Sequence, residues 1–330
     1  MSKYKLILDG DYGIDDALAT LFLVHQPDVQ ILAVGSVHGN ATAADAARNA
    51  LVVLDIGGRP DVSVAVGAVQ PLAQPVDISA MVHGDDGLGG CAPQLRPGRG
   101  PVDVPAAVQL VRAVRANPGD CTIVATGPLT NLALALLLDP DLASLVAGVV
   151  LMGGTIRHPG NITPYAEANI AHDPEAARLV FGAPWQVTQV GLDVTMETWL
   201  EQEDLDRIQA SDTGAGRFSW RILQHYLSFY FDHHGRPGCP VHDPCAAILA
   251  VDPGLASWKE VPVEVELRSD RCRGMLLVDR RKFAASERAP DLPLVRVVDE
   301  IDRDRLVSRF LDGLLTDPIP RIDPEADRSD

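Results

Sequence analysis

The sequence predicts an α/β fold: an open, mainly parallel β-sheet with flanking helices and a helical lid over one edge. Short runs rich in Val, Ile and Leu alternate with stretches whose apolar residues recur at helical spacing. This alternation is typical of strand–helix–strand units with parallel strands. The chain has 330 residues, of which 46% are hydrophobic and 22% charged, so it can bury a large core without disulfides or structural metals.

The first part of the chain alternates regularly. Residues 5–8 form a short apolar strand, and residues 14–25 form a helix that ends before Pro27, because proline cannot continue a helix. The other strands predicted here are residues 29–37, 62–66, 121–125, 146–152 and 186–190. The other helices are residues 41–56, 105–116, 129–138 and 174–181.

The later part is more varied. Helices are predicted over residues 200–210, 214–231 and 244–251, the last beginning at Pro244, a favourable first helical residue. Residues 261–267 and 275–278 are predicted to pair as a hairpin, followed by a last strand at 294–298 and a helix at 302–315. We predict one domain over residues 1–316 and an acidic, mobile tail at 317–330.

The charge balance restricts the possible partners. Lys and Arg number 28 against 45 Asp and Glu, a net charge of -17, which repels phosphates, so neither nucleic acid nor a membrane is an expected partner. The five cysteines are scattered, which disfavours a disulfide framework or a structural zinc site. The sequence shows no signal peptide and no apolar run of membrane-spanning length, so we predict a cytoplasmic protein.

Four aspartates follow the first predicted strand: Asp9, Asp11, Asp15 and Asp16. In an open α/β sheet, ligands bind beyond the carboxyl ends of the strands. Adjacent carboxylates repel one another unless a cation compensates, and oxygen ligands at this density suit Ca²⁺ or Mg²⁺ better than zinc. Asp15 alone is equally explained as a favourable acid at a helix N-terminus. Together, the four predict a divalent-metal site that also binds a hydroxyl-rich ligand.

Several segments, in a fixed order, resemble the inosine–uridine-preferring nucleoside hydrolases. They are the aspartate run at 9–16, Gly39-Asn40, Met81-Val82-His83-Gly84, the segment 125–131, Met152-Gly153-Gly154 with Asn161 and the segment 166–169, and Val241-His242-Asp243-Pro244. Each match is weak alone, but together they extend from residue 4 to about residue 250. The resemblance implies a Rossmann-like sheet, one tightly bound Ca²⁺, and hydrolysis of ribonucleosides to ribose and free base in nucleoside salvage or catabolism. We also expect a homodimer or homotetramer.

The resemblance assigns roles to residues by position. The implied calcium ligands are Asp11, Asp16, the main-chain carbonyl of Thr126 and Asp243. The implied ribose ligands are Asp15, Asn40, Asn161, Glu167 and Asn169, with Asp9 supporting the aspartate run from behind. His83, Tyr226 and Tyr230 would lie near the nucleobase, and His242 would face the base and help to protonate it.

The chemistry of N-glycoside cleavage suits these residue types. The reaction passes through a sugar cation and needs an activated water and a better leaving group. Calcium orients the water and the ribose diol but acidifies weakly, so Asp11, next to both metal and water, is the expected general base. His242 is the expected acid, and attack by water in one step predicts inversion at the anomeric carbon.

Ordinary structural explanations exist for each residue alone. Asn161 and Asn169 lie in a stretch where Asn is common in turns, Glu167 is also explained as a surface acid, and the two tyrosines as core packing. His83 and His242 are each explained as structural histidines. One residue departs from the family pattern: Tyr12 stands where a proline is usual, so the turn after Asp11 loses a fixed φ.

Two other functions compete with this interpretation. Haloacid-dehalogenase-like phosphatases also begin with Asp-x-Asp after a first strand, but they need a later lysine. Lys3, Lys5, Lys259 and Lys282 all lie away from a convincing strand–helix junction. A nucleoside or sugar binder without activity is the second alternative, and the presence of both Asp11 and Asp243 disfavours it.

Overall fold

The computed structural model describes residues 3–95, 98–281 and 292–316. The strands are β1 (Tyr4–Gly10), β2 (Val29–Ser36), β3 (Val64–Ala65), β4 (Thr122–Ala125), β5 (Gly148–Met152), β6 (Val187–Val190), β7 (Trp199–Leu200), β8 (Cys239–Pro240), β9 (Ala256–Pro262), β10 (Glu264–Val265), β11 (Leu276–Leu277) and β12 (Leu294–Ile301). The helices are α1 (Ile14–Val24), α2 (Ala43–Ile56), α3 (Ala80–His83), α4 (Ala106–Ala116), α5 (Thr130–Leu138), α6 (Leu142–Leu145), α7 (Ala168–His172), α8 (Pro174–Gly182), α9 (Leu192–Thr195), α10 (Gln202–Gln209), α11 (Gly214–His234), α12 (His242–Val251) and α13 (Arg303–Leu314).

Eight strands form one sheet in the order β3-β2-β1-β4-β5-β6-β12-β9. Neighbouring strands from β3 to β12 are parallel, and β9 pairs antiparallel with β12 at the edge. The strand order changes direction at β1, which pairs with β2 on one side and β4 on the other. The predicted α/β class is therefore confirmed, and β1 ends at the switch point where ligands bind in such sheets.

Helices cover both faces of the sheet. Leu6 and Leu8 of β1 pack into a core shared with α1, α2, α11, α12 and α13. Ile7 points the other way, into a core shared with α4, α5 and α8. Successive side chains of a strand alternate between faces, so burial on both faces requires the continuous apolar run that identified this strand.

The predicted hairpin near the C-terminus is only partly correct. Residues 261–267 do not form one strand: β9 ends at Pro262 and pairs with β12 in the main sheet, and only β10 pairs antiparallel with β11. The helix predicted from residue 200 begins at Gln202, because Leu200 pairs with Cys239 in a small two-stranded sheet. The helix predicted from Pro244 begins two residues earlier, at His242.

Short elements were not predicted, because two to five residues are too few to show a period. They are β7, β8, α3, α6, α7 and α9. In the described parts of the chain, no helix is long and apolar enough to cross a membrane. The single domain over residues 1–316 stays a prediction, and the predicted tail at 317–330 lies outside the described residues.

Candidate active site

A pocket of about 300 Å³ opens at the carboxyl ends of the parallel strands. Loops after β1, β2, β4 and β5 form its floor, and α11 and α12 form its wall. The sequence-predicted residues that line it are Asp15, Asn40, His83, Thr126, Asn161, Glu167, Asn169, Tyr226, Tyr230, His242 and Asp243. Asp11 and Asp16 are buried next to it, hydrogen-bonded to the lining residues Asn40 and Thr126. The fold thus brings every predicted site residue to one place.

Two helix N-termini meet at the floor of this pocket. Asp15 and Asp16 lie in the first turn of α1, and Asp243 lies in the first turn of α12, which packs against α1. Acids are favourable at these helix positions. Carboxylate oxygens of the three residues lie within 4.8 Å of one another, an arrangement that could hold a metal ion.

Asp11 and Asp16 are held by directed hydrogen bonds. The main-chain nitrogen of Asn40 donates to Asp11 Oδ2 at 2.7 Å, and Asn40 Nδ2 donates to Asp11 Oδ1 at 3.0 Å. Thr126 Oγ1 donates to Asp16 Oδ1 at 2.6 Å, and the Gly13 nitrogen donates to Asp16 Oδ2 at 2.9 Å. The Thr126 hydroxyl contact was missed by sequence reasoning, which assigned this residue only a main-chain role.

The carboxylates are crowded together and buried. Burial, followed by the charge of Asp15, raises the pKa of Asp16 to about 7. Burial and the neighbouring carboxylates raise the pKa of Asp11 and of Asp243 well above the ordinary value. Among the described residues, Asp15 Oδ1 and Asp243 Oδ2 are buried without a hydrogen-bond partner. Unpartnered carboxylate oxygens of this kind fit a hard divalent cation, which would satisfy them and offset the repulsion.

Asp9 lies behind this group, at the end of β1. Asn131 Nδ2 donates to Asp9 Oδ2 at 2.9 Å and also to the Ser36 carbonyl at 2.8 Å. Burial raises the pKa of Asp9 to about 7, and the Asn131 hydrogen bond opposes that rise. This position agrees with a supporting place behind the aspartate run, and Asn131 is a second support that the sequence did not single out.

Glu167 and Asn169 join the ends of β4 and β5. Glu167 is the N-cap of α7, where its side chain accepts from the nitrogens of Gly154 at 2.7 Å and Asn169 at 2.9 Å. Asn169 Nδ2 donates to the carbonyls of Thr126 at 3.1 Å and Met152 at 3.0 Å. Glu167 is therefore a buried residue rather than a surface acid.

Asn161 sits at the exposed mouth of the pocket. Its side-chain oxygen accepts from the Ala168 nitrogen at 2.9 Å and so ties this loop to the start of α7. The residue therefore lines the pocket and also has the turn-stabilising contact that Asn commonly makes.

The wall near α11 carries aromatic and imidazole groups. Tyr226 Oη donates to Asp15 Oδ2 at 3.3 Å, and Tyr230 Oη lies 2.8 Å from His242 Nε2. His242 Nδ1 lies 2.8 Å from Thr195 Oγ1. Burial lowers the pKa of His242 to about 4, so its imidazole is neutral. Tyr226 and Tyr230 are buried and also line the pocket, so the same side chains pack in the core and face the cavity.

His83 faces the same wall from α3. The Ile14 nitrogen donates to His83 Nδ1 at 3.1 Å, so the neutral ring carries its hydrogen on Nε2. Its ring centroid lies 5.5 Å from that of Tyr226. Burial lowers the pKa of His83, which keeps the ring neutral near pH 7.

The residues that sequence reasoning missed lie mainly after β5 and β6. Asp193 of α9 accepts from the nitrogens of Ile156 at 2.9 Å and His158 at 3.0 Å, and it also accepts from the Arg157 nitrogen. This contact holds the loop that places His158 at the pocket. Their position in the sequence could have indicated them, because Asp193 and Thr195 follow shortly after a parallel strand, and ligand-binding residues lie at the carboxyl ends of such strands.

Tyr12 has an unusual backbone for its residue type. Its φ is +36°, in the left-handed region, and its side chain is fully buried. Thr20 Oγ1 donates to its hydroxyl at 3.3 Å, and Asn49 Nδ2 donates to its carbonyl at 3.1 Å. A proline, locked near −65°, could not take this backbone, so the turn as it stands requires a residue other than proline.

Comparisons with known proteins agree with this geometry. A family model described as inosine-uridine preferring nucleoside hydrolase matches residues 6–308. The inosine-uridine preferring nucleoside hydrolase of Crithidia fasciculata is 37% identical over 312 residues, covering 94% of this chain and 97% of the relative. A pyrimidine-specific ribonucleoside hydrolase of Salmonella newport is 36% identical, covering 94% and 97%. A solved plant nucleoside hydrolase superposes with a TM-score of 0.91 at 33% identity, covering 95% of this chain and 99% of the other.

Proposed function

Because this chain belongs to the inosine-uridine preferring nucleoside hydrolase family, and is therefore a hydrolytic enzyme, we propose that it cleaves the N-glycosidic bond of ribonucleosides to give ribose and free base. One observation carries the proposal: buried carboxylates of Asp15, Asp16 and Asp243 converge within 4.8 Å beside a pocket of about 300 Å³. That volume is within the range of small-ligand sites. The polar floor and aromatic wall suit the two halves of a nucleoside.

We further propose Ca²⁺ as the resident metal. Asp11, Asp16, Asp243 and the Thr126 carbonyl would hold it, and Asp15 would face the ribose diol. The oxygen-only donor set and the unpartnered Asp243 Oδ2 support a hard cation. When bound, calcium supplies charge stabilisation and a template for the water and the ribose hydroxyls.

Asp11 is the proposed general base. Its two hydrogen bonds from Asn40 orient the carboxylate, so it would accept the proton of the attacking water. The water would attack the anomeric carbon on the face opposite the base, which inverts that carbon. Orientation of this kind lowers the barrier because the reacting groups are held before reaction.

The ribose contacts follow from the floor of the pocket. The Nδ2 groups of Asn40 and Asn169 donate inside the site, so their Oδ1 atoms are the groups that would accept from ribose hydroxyls. Asp15 and Glu167 would add carboxylate acceptors, and Asn161 would contribute at the mouth. His83, Tyr226, Tyr230 and His242 would surround the base, with His242 assisting its departure.

A nucleoside panel tests the activity. Inosine, adenosine, guanosine, uridine and cytidine are incubated with the full-length protein, and ribose is measured by a reducing-sugar assay. We expect release from at least one substrate, and silence on all five would reject the proposal. Asp243→Asn should be inactive, whereas the exposed Asp141→Asn should match the wild type.

Metal dependence has a separate test. A chelator should lower both turnover and melting temperature, and Ca²⁺ should restore both better than Mg²⁺ does. A metal at 100 times its Kd stabilises a protein by about 2.7 kcal/mol, a shift that a thermal melt resolves easily. An unchanged melting temperature in chelator would contradict a resident metal.

Two further predictions have their own tests. Light scattering would test the predicted homodimer or homotetramer, and cell fractionation would test the predicted cytoplasmic location.

A further inference from the structure

A single side chain, Asn49 of α2, contacts two loops of the site from behind. Its Nδ2 donates to the carbonyl of Tyr12 at 3.1 Å and to the carbonyl of Asp86 at 2.8 Å. Carbonyls only accept, and the Arg48 guanidinium donates to Asn49 Oδ1 at 3.2 Å, so these partners fix the orientation of the amide. Asn49 is fully buried, and neither it nor Tyr12 nor Asp86 lines the pocket.

The peptide between Tyr12 and Gly13 is held at both ends. Asn49 donates to its carbonyl, and its N–H, which belongs to Gly13, donates to Asp16 Oδ2 at 2.9 Å. The carbonyl and the N–H lie in one rigid plane, so a rotation that broke the first bond would also turn the N–H away from Asp16. The bond from Asn49 therefore fixes a donor to one of the proposed metal ligands.

The backbone of Tyr12 makes such a bond necessary. Its φ of +36° is unfavourable for a residue with an aromatic side chain, so surrounding contacts must hold it in place. The bond from Asn49 is one of these contacts, and it acts on the main chain directly, independently of how the Tyr12 ring packs.

The second carbonyl places Asn49 against the loop that follows α3. The Asp86 carboxylate accepts from three main-chain nitrogens within residues 88–92, at 2.8 to 2.9 Å, so this part of the loop is tied together. His83 lies three residues before Asp86, lines the pocket and accepts from the Ile14 nitrogen at 3.1 Å. The loop that carries His83 is thus joined to the turn after β1 at two points.

Gly87 allows the loop to approach Asn49 this closely. Its φ is +77°, and a Cβ at this position would lie 2.9 Å from Asn49 Nδ2 and 3.3 Å from the Tyr12 carbonyl oxygen. Gly90, in the same loop, has a similar φ of +74°, but a Cβ there would meet no atom within 4 Å outside its chain neighbours. The close approach is therefore specific to the contact with Asn49.

We propose that Asn49 is a positioning residue that joins the loop carrying His83 to the turn between Asp11 and Asp16, and so sets the geometry of metal ligands that it does not touch. The inference rests on the proposed calcium-dependent hydrolysis. Changing a group that orients metal ligands typically lowers metal affinity by about 10–100-fold. Asn49 acts through one peptide on Asp16 and through the loop on His83.

The calcium affinity of the full-length protein tests this role, measured by isothermal titration calorimetry after treatment with chelator. Asn49→Leu keeps the branched shape of the side chain and removes the donor, and Gly87→Ala forces the loop away while Asn49 remains. We expect each variant to raise the Kd for Ca²⁺ about tenfold or more. An unchanged Kd in folded Asn49→Leu would overturn the proposal, and Gly87→Ala decides in the same way if Asn49→Leu does not fold.

Two matched controls separate positioning from a general loss of stability. Gln26→Leu removes a buried amide that donates to the Phe22 carbonyl, at the other end of α1 from the turn. Gly90→Ala adds a side chain to a left-handed backbone in the same loop, without the close approach. Both should lower the melting temperature and keep the Kd for Ca²⁺ within about threefold of the wild type, because sites without shared partners act independently. Controls that weaken calcium binding as much as Asn49→Leu would overturn the proposal.

Hydrogen exchange gives a readout that needs neither metal nor activity. In metal-free protein, mass spectrometry of a peptide covering residues 10–17 should show exchange at least about tenfold faster in Asn49→Leu than in the wild type, and no such change in Gln26→Leu. Equal exchange in Asn49→Leu and the wild type would overturn the proposal. A wild type that binds no Ca²⁺ would refute the proposed metal instead, and this exchange measurement would still decide the role of Asn49.

Discussion

Single residues in this site are under opposing forces. Asp11 and Asp16 are favoured by hydrogen bonds from Asn40 and Thr126, and disfavoured as anions by burial and by each other. Buried carboxylates that share a site commonly serve catalysis, but their mutual repulsion lowers the free energy of unfolding. The balance predicts that neutralising one of them harms chemistry more than folding.

We expect Asp11→Asn to lower turnover at least about 100-fold, because the amide cannot accept a proton from water. The fold should persist, since the change also removes one buried like charge. Ribose release and a circular-dichroism melt measure the two effects. Near-normal activity in a folded Asp11→Asn protein would exclude Asp11 as the base.

Two opposing effects determine how much Tyr12 contributes to stability: the strain of its left-handed backbone and the burial of its aromatic side chain. Replacing it with glycine relieves a left-handed backbone, worth about 1–2 kcal/mol, but deletes a buried aromatic side chain, worth about 3–5 kcal/mol. Tyr12→Gly should therefore lower the free energy of unfolding by roughly 2 kcal/mol, as the difference of these terms. Tyr12→Phe loses only the Thr20 contact and should cost less than about 1 kcal/mol. Urea denaturation measures both, and a glycine variant as stable as the wild type would show that backbone strain dominates.

At the scale of elements, short segments after strands do most of the positioning. α9 has four residues, yet Asp193 holds the loop after β5 and Thr195 contacts His242 on α12. α7 has five residues and connects the ends of β4 and β5 through Asn169. Such segments are stable here because each is tied by hydrogen bonds to a neighbour on the sheet, and helices this short are not stable alone.

We expect Asp193→Asn to raise KM several-fold with a smaller change in kcat. The amide keeps one acceptor oxygen, so at least one of the three bonds to residues 156–158 is lost and the loop at the pocket mouth loosens. Asp299→Asn, which removes a partner of Arg157 farther out, is the matched control. Steady-state kinetics give kcat and KM of both variants on the nucleoside that the wild type cleaves most efficiently. A fall in kcat with constant KM would argue against a role of Asp193 limited to the loop.

At the scale of the whole molecule, a buried polar contact joins three elements behind the pocket. His38, after β2, lies with Nε2 3.2 Å from Thr130 Oγ1 of α5, and that hydroxyl donates to Asp173 Oδ2 at 2.7 Å, before α8. Burial, followed by the proximity of His172, lowers the pKa of His38 from 6.5 to about 4. The folded protein therefore resists protonation of His38.

This shift predicts a pH dependence of stability. Because the unfolded state takes up the proton first, the stability present above pH 6.5 is lost as the pH falls toward 4, by up to about 3 kcal/mol from this group. His38→Gln keeps a polar side chain and cannot titrate, so its unfolding free energy should fall less over this window. Urea titrations of both proteins at intervals from pH 7 to about pH 4 make the comparison. Parallel curves for the two proteins would contradict the prediction.

The sequence by itself predicted the parallel strands of the sheet, its main helices and a set of candidate site residues. The apolar runs were long enough to show their period, and acids after β1 with Asn40, Thr126 and Asp243 formed an ordered pattern whose members the structure brings together. Their separate roles as metal, ribose and base ligands stay proposals.

Only the tertiary structure decided which side chains meet. Nothing local to Thr195 indicates that its hydroxyl reaches His242, 47 positions later, or that Asp193 would hold a loop more than thirty residues earlier. The four-residue helix carrying them is too short to show a period, and the left-handed turn at Tyr12 contradicts its residue type. These features depend on contacts between distant segments, which the sequence pattern of one segment does not contain.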